Sequence, residues 1–191
     1  LLFSGKFDKF PGLKYCVVEC GSWWVGDLLW KADVNFGASW KIKKMSSRMK
    51  GLLTKLPSEY FGDSVFIGAS TMSRYEIRER HRNGIDALMW GTDYPHPEGS
   101  WPNTVHRLEN DFQDVSIEDT RRLLGLNAIE CYDLDVEGLT TVANRIGPTP
   151  EKLNQDPALR TSPTAKRDAR WWFDEYLSLI HISEPTRPSS I

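Results

Sequence analysis

Apolar and polar positions along the first hundred residues fall into short continuous apolar runs separated by stretches of helix-like spacing. Leu13-Lys14-Tyr15-Cys16-Val17-Val18-Glu19, introduced by Pro11-Gly12, is a β-rich run that predicts a strand. From Trp23 to about Val34, apolar side chains recur at positions 24, 25, 28 and 29, the spacing of one helix face. Pro57 and Gly62-Asp63 punctuate the way to a second apolar run, Val65-Phe66-Ile67-Gly68-Ala69. Tyr75 to Arg82 is charged and helix-prone, and Asn83-Gly84 stops it. Ile85 to Trp90 is the third apolar run. Beyond a loop, Ser116 with Asp119 resembles a capping pair for a helix from Ile117 to about Tyr132, which would bury Leu123, Leu124, Ala128 and Ile129.

The order strand, helix, strand, helix, strand, loop, helix predicts an α/β fold with parallel strands and crossover helices. The strands are near-continuously apolar, as expected where both sheet faces are covered. From about Thr149 the rhythm is lost, and Pro150, Pro157 and Pro163 interrupt a polar stretch that reads as an irregular C-terminal tail over 151–176. Residues 177–187, LSLIHISEPTR, resemble the conceptual translation of a transposase adapter used in sequencing libraries. Residues 177–191 are therefore expected to be largely read-through, and His181 is assigned to no site.

The 191 residues carry 40% apolar and 26% charged side chains, which fits one globular domain of ordinary size. With 24 basic against 26 acidic residues the formal net charge is −2, which gives no reason to expect nucleic acid or an anionic membrane as partner. The basic stretch KIKKMSSRMK reads as a solvated helix face, and the eight tryptophans chiefly as core packing. Cys16 and Cys20 on one strand would stand about 13 Å apart, too far for a disulfide, which needs Cα atoms within about 7 Å. With Cys131 they make no disulfide framework, and a reducing, cytoplasmic setting is the simplest reading. No apolar stretch approaches the ~20 residues of a membrane span, no signal peptide is visible, and the start at Leu1 looks cut.

Chemistry concentrates in ALMWGTDYPHPEGSWPN, residues 87–103. In parallel α/β domains the C-terminal strand ends surround a shared opening, and Asp93 stands at such an end. Pro95 and Pro97 disfavour helical geometry at Tyr94 and His96, so the segment is expected to leave the strand extended across the mouth. Asp93 there is a candidate metal ligand or general base; the bland alternative is an aspartate that accepts backbone hydrogen bonds in a turn. His96, pinned between prolines, is a candidate contact for a substrate carboxylate or carbonyl oxygen, or else an ordinary loop histidine. His81 and His106 read as surface.

The stretch LMWGTDYPHPEGSWPNT resembles the last barrel strand of the amidohydrolase-related proteins. This branch of the metal-dependent hydrolase superfamily includes the decarboxylases of aminocarboxymuconate semialdehyde and of hydroxybenzoates. FSGKFDKFPGLKYCVVECGSWW, KLPSEYFGDSVFIGAS and RRLLGLNAIECYDL support the likeness, which runs from about Leu2 to Pro150. It implies that residues 1–150 are the C-terminal part, about three βα units, of a TIM-type (β/α)8 barrel, with the strands found here as the sixth to eighth. It also implies a divalent metal, zinc or manganese, with Asp93 as its ligand or as the acceptor of a proton from the activated water. The family's His-x-His pair is absent, the histidines being His81, His96, His106 and His181, so most ligands are expected upstream of Leu1. Many relatives place a histidine after the sixth strand, where this chain has Val18-Glu19-Cys20-Gly21. Glu19 is accordingly a second candidate catalytic residue, and a solvated strand-end acid is the alternative. Trp23 and Trp24 follow that turn, with Trp24, like Tyr94, a candidate for the wall of a substrate cavity, and packing under the helix is the alternative for one of the two tryptophans.

Two function classes follow. The first is a metal-dependent hydrolase or carboxy-lyase acting on a small carboxylated or aromatic molecule, active at full length, where a homodimer is admitted, and inactive as this fragment. The second is a barrel relative without catalysis, or an inactive fragment with a binding or structural role, which the glutamate at position 19 favours.

Overall fold

A computed structural model describes residues 1–39, 52–70 and 72–153. Three short strands, β1 (Tyr15–Val18), β2 (Val65–Ser70) and β3 (Leu88–Gly91), form one parallel sheet in the order β1-β2-β3. Tyr15 pairs with Val65 and Val18 with Gly68, while Ile67 pairs with Leu88 and Ser70 with Gly91. The third apolar run thus divides: Ile85–Ala87 turns as a 3-10 segment before the strand begins at Leu88.

The helices predicted from the spacing form with shifted ends, and further ones arise where none was predicted. They are α1 (Lys6–Lys9), α2 (Val25–Ser39), α3 (Arg74–Arg78), α4 (Thr104–Asp111), α5 (Ile117–Arg121), α6 (Asn127–Tyr132), α7 (Val136–Ile146) and α8 (Pro150–Leu153). Helix α2 runs five residues beyond the predicted end, because Ala32 and Phe36 continue the apolar face begun by Val25 and Leu29. Ser116 caps α5 by accepting from the Asp119 amide at 3.1 Å, and a π-helical turn, Arg122–Leu126, joins α5 to α6. The stretch 117–132 is therefore helical throughout, with one widened turn.

Alternate strand residues face opposite sides of the sheet. Ile67, Ala69 and Leu88 bury one face together with Val25 and Leu29 of α2, Ile77 of α3, Leu108 of α4, Phe112 and Leu123. Phe66 and Met89 bury the other face against Cys131 of α6, with Cys16 and Ala128 packed alongside. Phe66, Ile67 and Leu88 are fully buried, each worth roughly 1.5–3 kcal/mol relative to exposure. A third cluster joins Phe7, Phe36, Leu53, Tyr60 and Val65.

Coverage is uneven. Tyr15 and Val18 of β1 are exposed, so the edge strand lacks the two-sided cover its apolar sequence suggests. Helix α7, capped by Asp135 through the Glu137 and Gly138 amides, leaves Val136, Leu139, Val142 and Ile146 exposed. Leu153 is buried in the main cluster, so packed residues run slightly past position 150. The basic stretch at 41–50, the rest of the tail and the adapter-like segment lie outside the described residues. No helix among the described residues is long and apolar enough to cross a membrane.

Two polar anchors, one at Asn127 and buried, the other at the partly buried Asp119, hold the closing helices to the sheet and to the segment after α3. The Asn127 amide donates to the carbonyls of Ile85 and Leu88, each at 2.7 Å, fixing α6 beneath β3. The Asp119 carboxylate accepts from Arg80 at 2.7 Å and lies 3.1 Å from His81. Burial pushes the Asp119 carboxyl up, but the Arg80 hydrogen bond, the Arg80 charge and His81 together outweigh it and hold it below its ordinary value.

Replacing Asn127 by Ala removes both donors and leaves two carbonyls without them; we expect a loss of about 2–3 kcal/mol, read from urea unfolding. Because the folded-state pKa of Asp119 is depressed, its contribution is complete above the unfolded carboxylate value and is lost as pH falls through the folded one. Acid titration of stability should therefore be shallower in Asp119→Asn than in the parent below about pH 4, the unfolded Asp range.

Candidate active site

Two of the acids singled out by sequence lie at the same end of the sheet. Glu19 directly follows β1, and Asp93 lies two residues beyond β3. Both adopt left-handed backbone geometry, with φ of +56° and +60°. The third non-glycine residue with positive φ among those described is Asp133, which merely ends α6. Left-handed geometry costs a non-glycine residue of order 1–3 kcal/mol and persists where surrounding structure enforces it, commonly at functional sites.

The Asp93 segment does not run extended. It closes on itself: the His96 amide donates to the Asp93 carbonyl at 2.8 Å, Gly99 to His96 at 3.0 Å, and Ser100 to Thr92 at 2.9 Å. The prolines exclude helix, but the left-handed turn at Asp93 reverses the chain before it can cross the opening. Gly99 makes the turn possible, since a Cβ there would stand 2.8 Å from the Thr92 carbonyl oxygen, 2.9 Å from that of His96 and 3.1 Å from that of Asp93. The Ser100 hydroxyl lies 3.1 Å from that of Thr104, tying the turn to α4.

This reversal brings His96 between the two acids. Its Nδ1 lies 3.6 Å from Asp93 Oδ2 and 3.9 Å from Glu19 Oε1, ion-pair distances beyond direct hydrogen bonding. The Asp93 side chain is 13% exposed against 50% for His96 and 69% for Glu19, so the aspartate is the enclosed member. Its carboxylate takes no backbone hydrogen bond among the described residues, and it is the carbonyl that closes the turn.

The Glu19 turn is fixed from three sides. The Trp24 indole donates to the Gly21 carbonyl at 2.7 Å, and the Cys20 thiol lies 3.8 Å from the Val17 carbonyl. Buried Glu76, on α3, accepts from the Ser22 amide and hydroxyl through one oxygen and from the Ser73 amide and hydroxyl through the other. This carboxylate joins the loop after β1 to the loop after β2. Sequence reading missed it inside a charged helical run, although Ser73-x-x-Glu76 carries the capping-box spacing that could have revealed it.

Of the side chains proposed for a cavity wall, Trp24 packs against the main core and is committed to holding Gly21. Tyr94 is exposed and meets Trp101 edge-to-face at 5.8 Å. Trp101 was not foreseen, and neither was Glu98. Asp93, His96 and Glu98 each offer one ligand atom, all within 4.8 Å of one another. Two carboxylate oxygens and one imidazole nitrogen are a donor set that zinc and manganese accept. The spacing Asp93-x-x-His96-x-Glu98 was the available signal.

Parallel βα units with charged side chains gathered at the C-terminal strand ends are consistent with part of a (β/α)8 barrel, the fold of the solved structure described below. The profile of the amidohydrolase family matches residues 1–134, and the chain belongs to that family. Among solved structures, the chain is similar to 5-carboxyvanillate decarboxylase LigW from Sphingomonas paucimobilis, at 24% identity and a TM-score of 0.52. That match covers 70% of this chain and 38% of the decarboxylase, so the chain spans well under half of its relative's length. No curated protein matches.

Gly99→Ala should open the Asp93 turn by pushing three carbonyls apart. We expect faster hydrogen exchange at the Ser100 amide and a stability loss of about 1–3 kcal/mol; parent-like exchange would show that the turn does not depend on the missing side chain.

Proposed function

We propose that this chain forms part of a metal-dependent amidohydrolase-like enzyme that hydrolyses or non-oxidatively decarboxylates a small carboxylated or aromatic molecule. What supports the reading is that Glu19 and Asp93, on strands separated by β2, both lie within ion-pair distance of the His96 imidazole. Family membership supports a divalent metal. Asp93, His96 and Glu98 would hold it from this part of the barrel, with any further ligands supplied from sequence upstream. Such an ion polarises a bound oxygen and brings the pKa of water to ~7.

The chain's own residues then divide the proton work. Asp93, enclosed and fixed by its turn, accepts a proton at Oδ2 and can return it. His96, between the two carboxylates, is kept for the metal, and the more exposed Glu19 exchanges protons with solvent. In hydrolysis the proton is returned to the leaving group; in decarboxylation it goes to the carbon that loses carbon dioxide. Tyr94 and Trp101, exposed on the same loop, supply an aromatic flank on which a planar substrate would rest.

The test is Asp93→Asn in a protein extended upstream to the full barrel. Turnover should fall at least about 100-fold, the scale of a lost general acid–base group, with the circular dichroism of the parent retained. Unchanged turnover in a folded variant would remove Asp93 from the chemistry.

A further inference from the structure

On the sheet face opposite the main core, two thiols from distant parts of the chain share one cluster. Cys131 of α6 is buried there with Phe66 and Met89, and half-buried Cys16 of β1 packs against the same group. The Tyr132 hydroxyl donates to Cys16 Sγ at 3.5 Å across 116 residues of sequence, so the end of α6 is held over β1. Cys20 faces the other way, packed against the main cluster with its thiol on the Val17 carbonyl. Sequence spacing excluded a Cys16–Cys20 bridge; the fold brings Cys16 to a different partner.

We propose that Cys16 and Cys131 form an oxidisable pair, a modification site at which a small-molecule disulfide such as oxidised glutathione drives an internal bridge between β1 and α6. The reaction has two exchanges. The Cys16 thiolate attacks one sulfur of the oxidant, forming a mixed disulfide and expelling one small thiolate. The Cys131 thiolate then attacks Cys16 Sγ, expelling the second. Two protein thiols are oxidised, one small disulfide is reduced to two thiols, and both protons leave with them. The order follows accessibility: Cys16 is half-exposed, whereas burial, first, and then the adjacent Cys16 push the Cys131 thiol up to about 11. A thiol so held is a poor first nucleophile and reacts once its neighbour carries a good leaving group. Cys20 is likewise pushed up, chiefly by burial, and has no thiol on its own face.

The test uses the 191-residue chain under native conditions. It is incubated with oxidised glutathione, its free thiols are alkylated, and it is digested without reduction for mass spectrometry. The expected result is one dominant cross-link, Cys16–Cys131, with Cys20 alkylated and no covalent dimer on a non-reducing gel. Cys131→Ser should stop at a stable mixed disulfide on Cys16, and Cys20→Ser should leave the cross-link unchanged. The thermal midpoint should rise on oxidation in the parent and not in Cys16→Ser. A dominant link through Cys20, an intermolecular link, all three thiols remaining free, or a cross-link obtained only in denaturant would overturn the proposal.

Discussion

Parallel pairing at one register is the constraint from which the arrangement of this molecule follows. With Tyr15 against Val65 and Ile67 against Leu88, all three strands point their C-terminal ends the same way, and the loops that carry Glu19 and Asp93 open on one side. The same order keeps β1 and β3 apart by the width of β2, about 9.5 Å at ordinary strand spacing. Glu19 and Asp93 therefore cannot meet through their strands. The loop after β3 must double back, and the imidazole of His96 spans what the carboxylates cannot.

Doubling back requires unfavourable backbone geometry, and the surroundings offset it. Two acids in left-handed conformation cost of order 1–3 kcal/mol each. A hydrogen bond contributes about 0.5–1.5 kcal/mol net, and Glu76 alone accepts four, two of them from Ser22 just beyond the Glu19 turn. The Asp93 turn has three backbone bonds of its own and a glycine at its tightest point. Both turns are thus over-determined by groups that take no part in chemistry, and the side chains they carry are held on rigid stems. Asn127 performs the corresponding service below the sheet, where α6 is pinned to the entry of β3.

Much of this was legible in the chain. Continuous apolar runs between stretches of helix-like spacing gave the order of the strands and the helices between them, because short apolar runs bounded by Pro, Gly and Asn are locally unambiguous. Asp93 stood out because an apolar strand running into an acid and two prolines has few uses. What sequence could not show was distance between residues remote in the chain. Glu76 looked like one charge among many in a helix, Trp24 could be read as cavity wall or as packing, and the segment after Asp93 looked like an extended crossing. Each depends on a tertiary partner: Ser22 for Glu76, the Gly21 carbonyl for Trp24, and the sign of φ at Asp93 for the loop. Family resemblance supplied the barrel and the pairing of Glu19 with a catalytic position, neither of which pattern alone implied.

The exposed edge of β1 has a consequence for handling the isolated chain. Tyr15–Val18 presents apolar side chains beside backbone amides and carbonyls that no neighbouring strand takes up among the described residues. Such a rim is a template for adding another strand, and a formal charge of −2 spread over 191 residues offers little repulsion against it. Association at high concentration has a natural starting point in such an unpaired strand, and the exposed side chains of Tyr15 and Val18 make β1 one of the two edges that offer it.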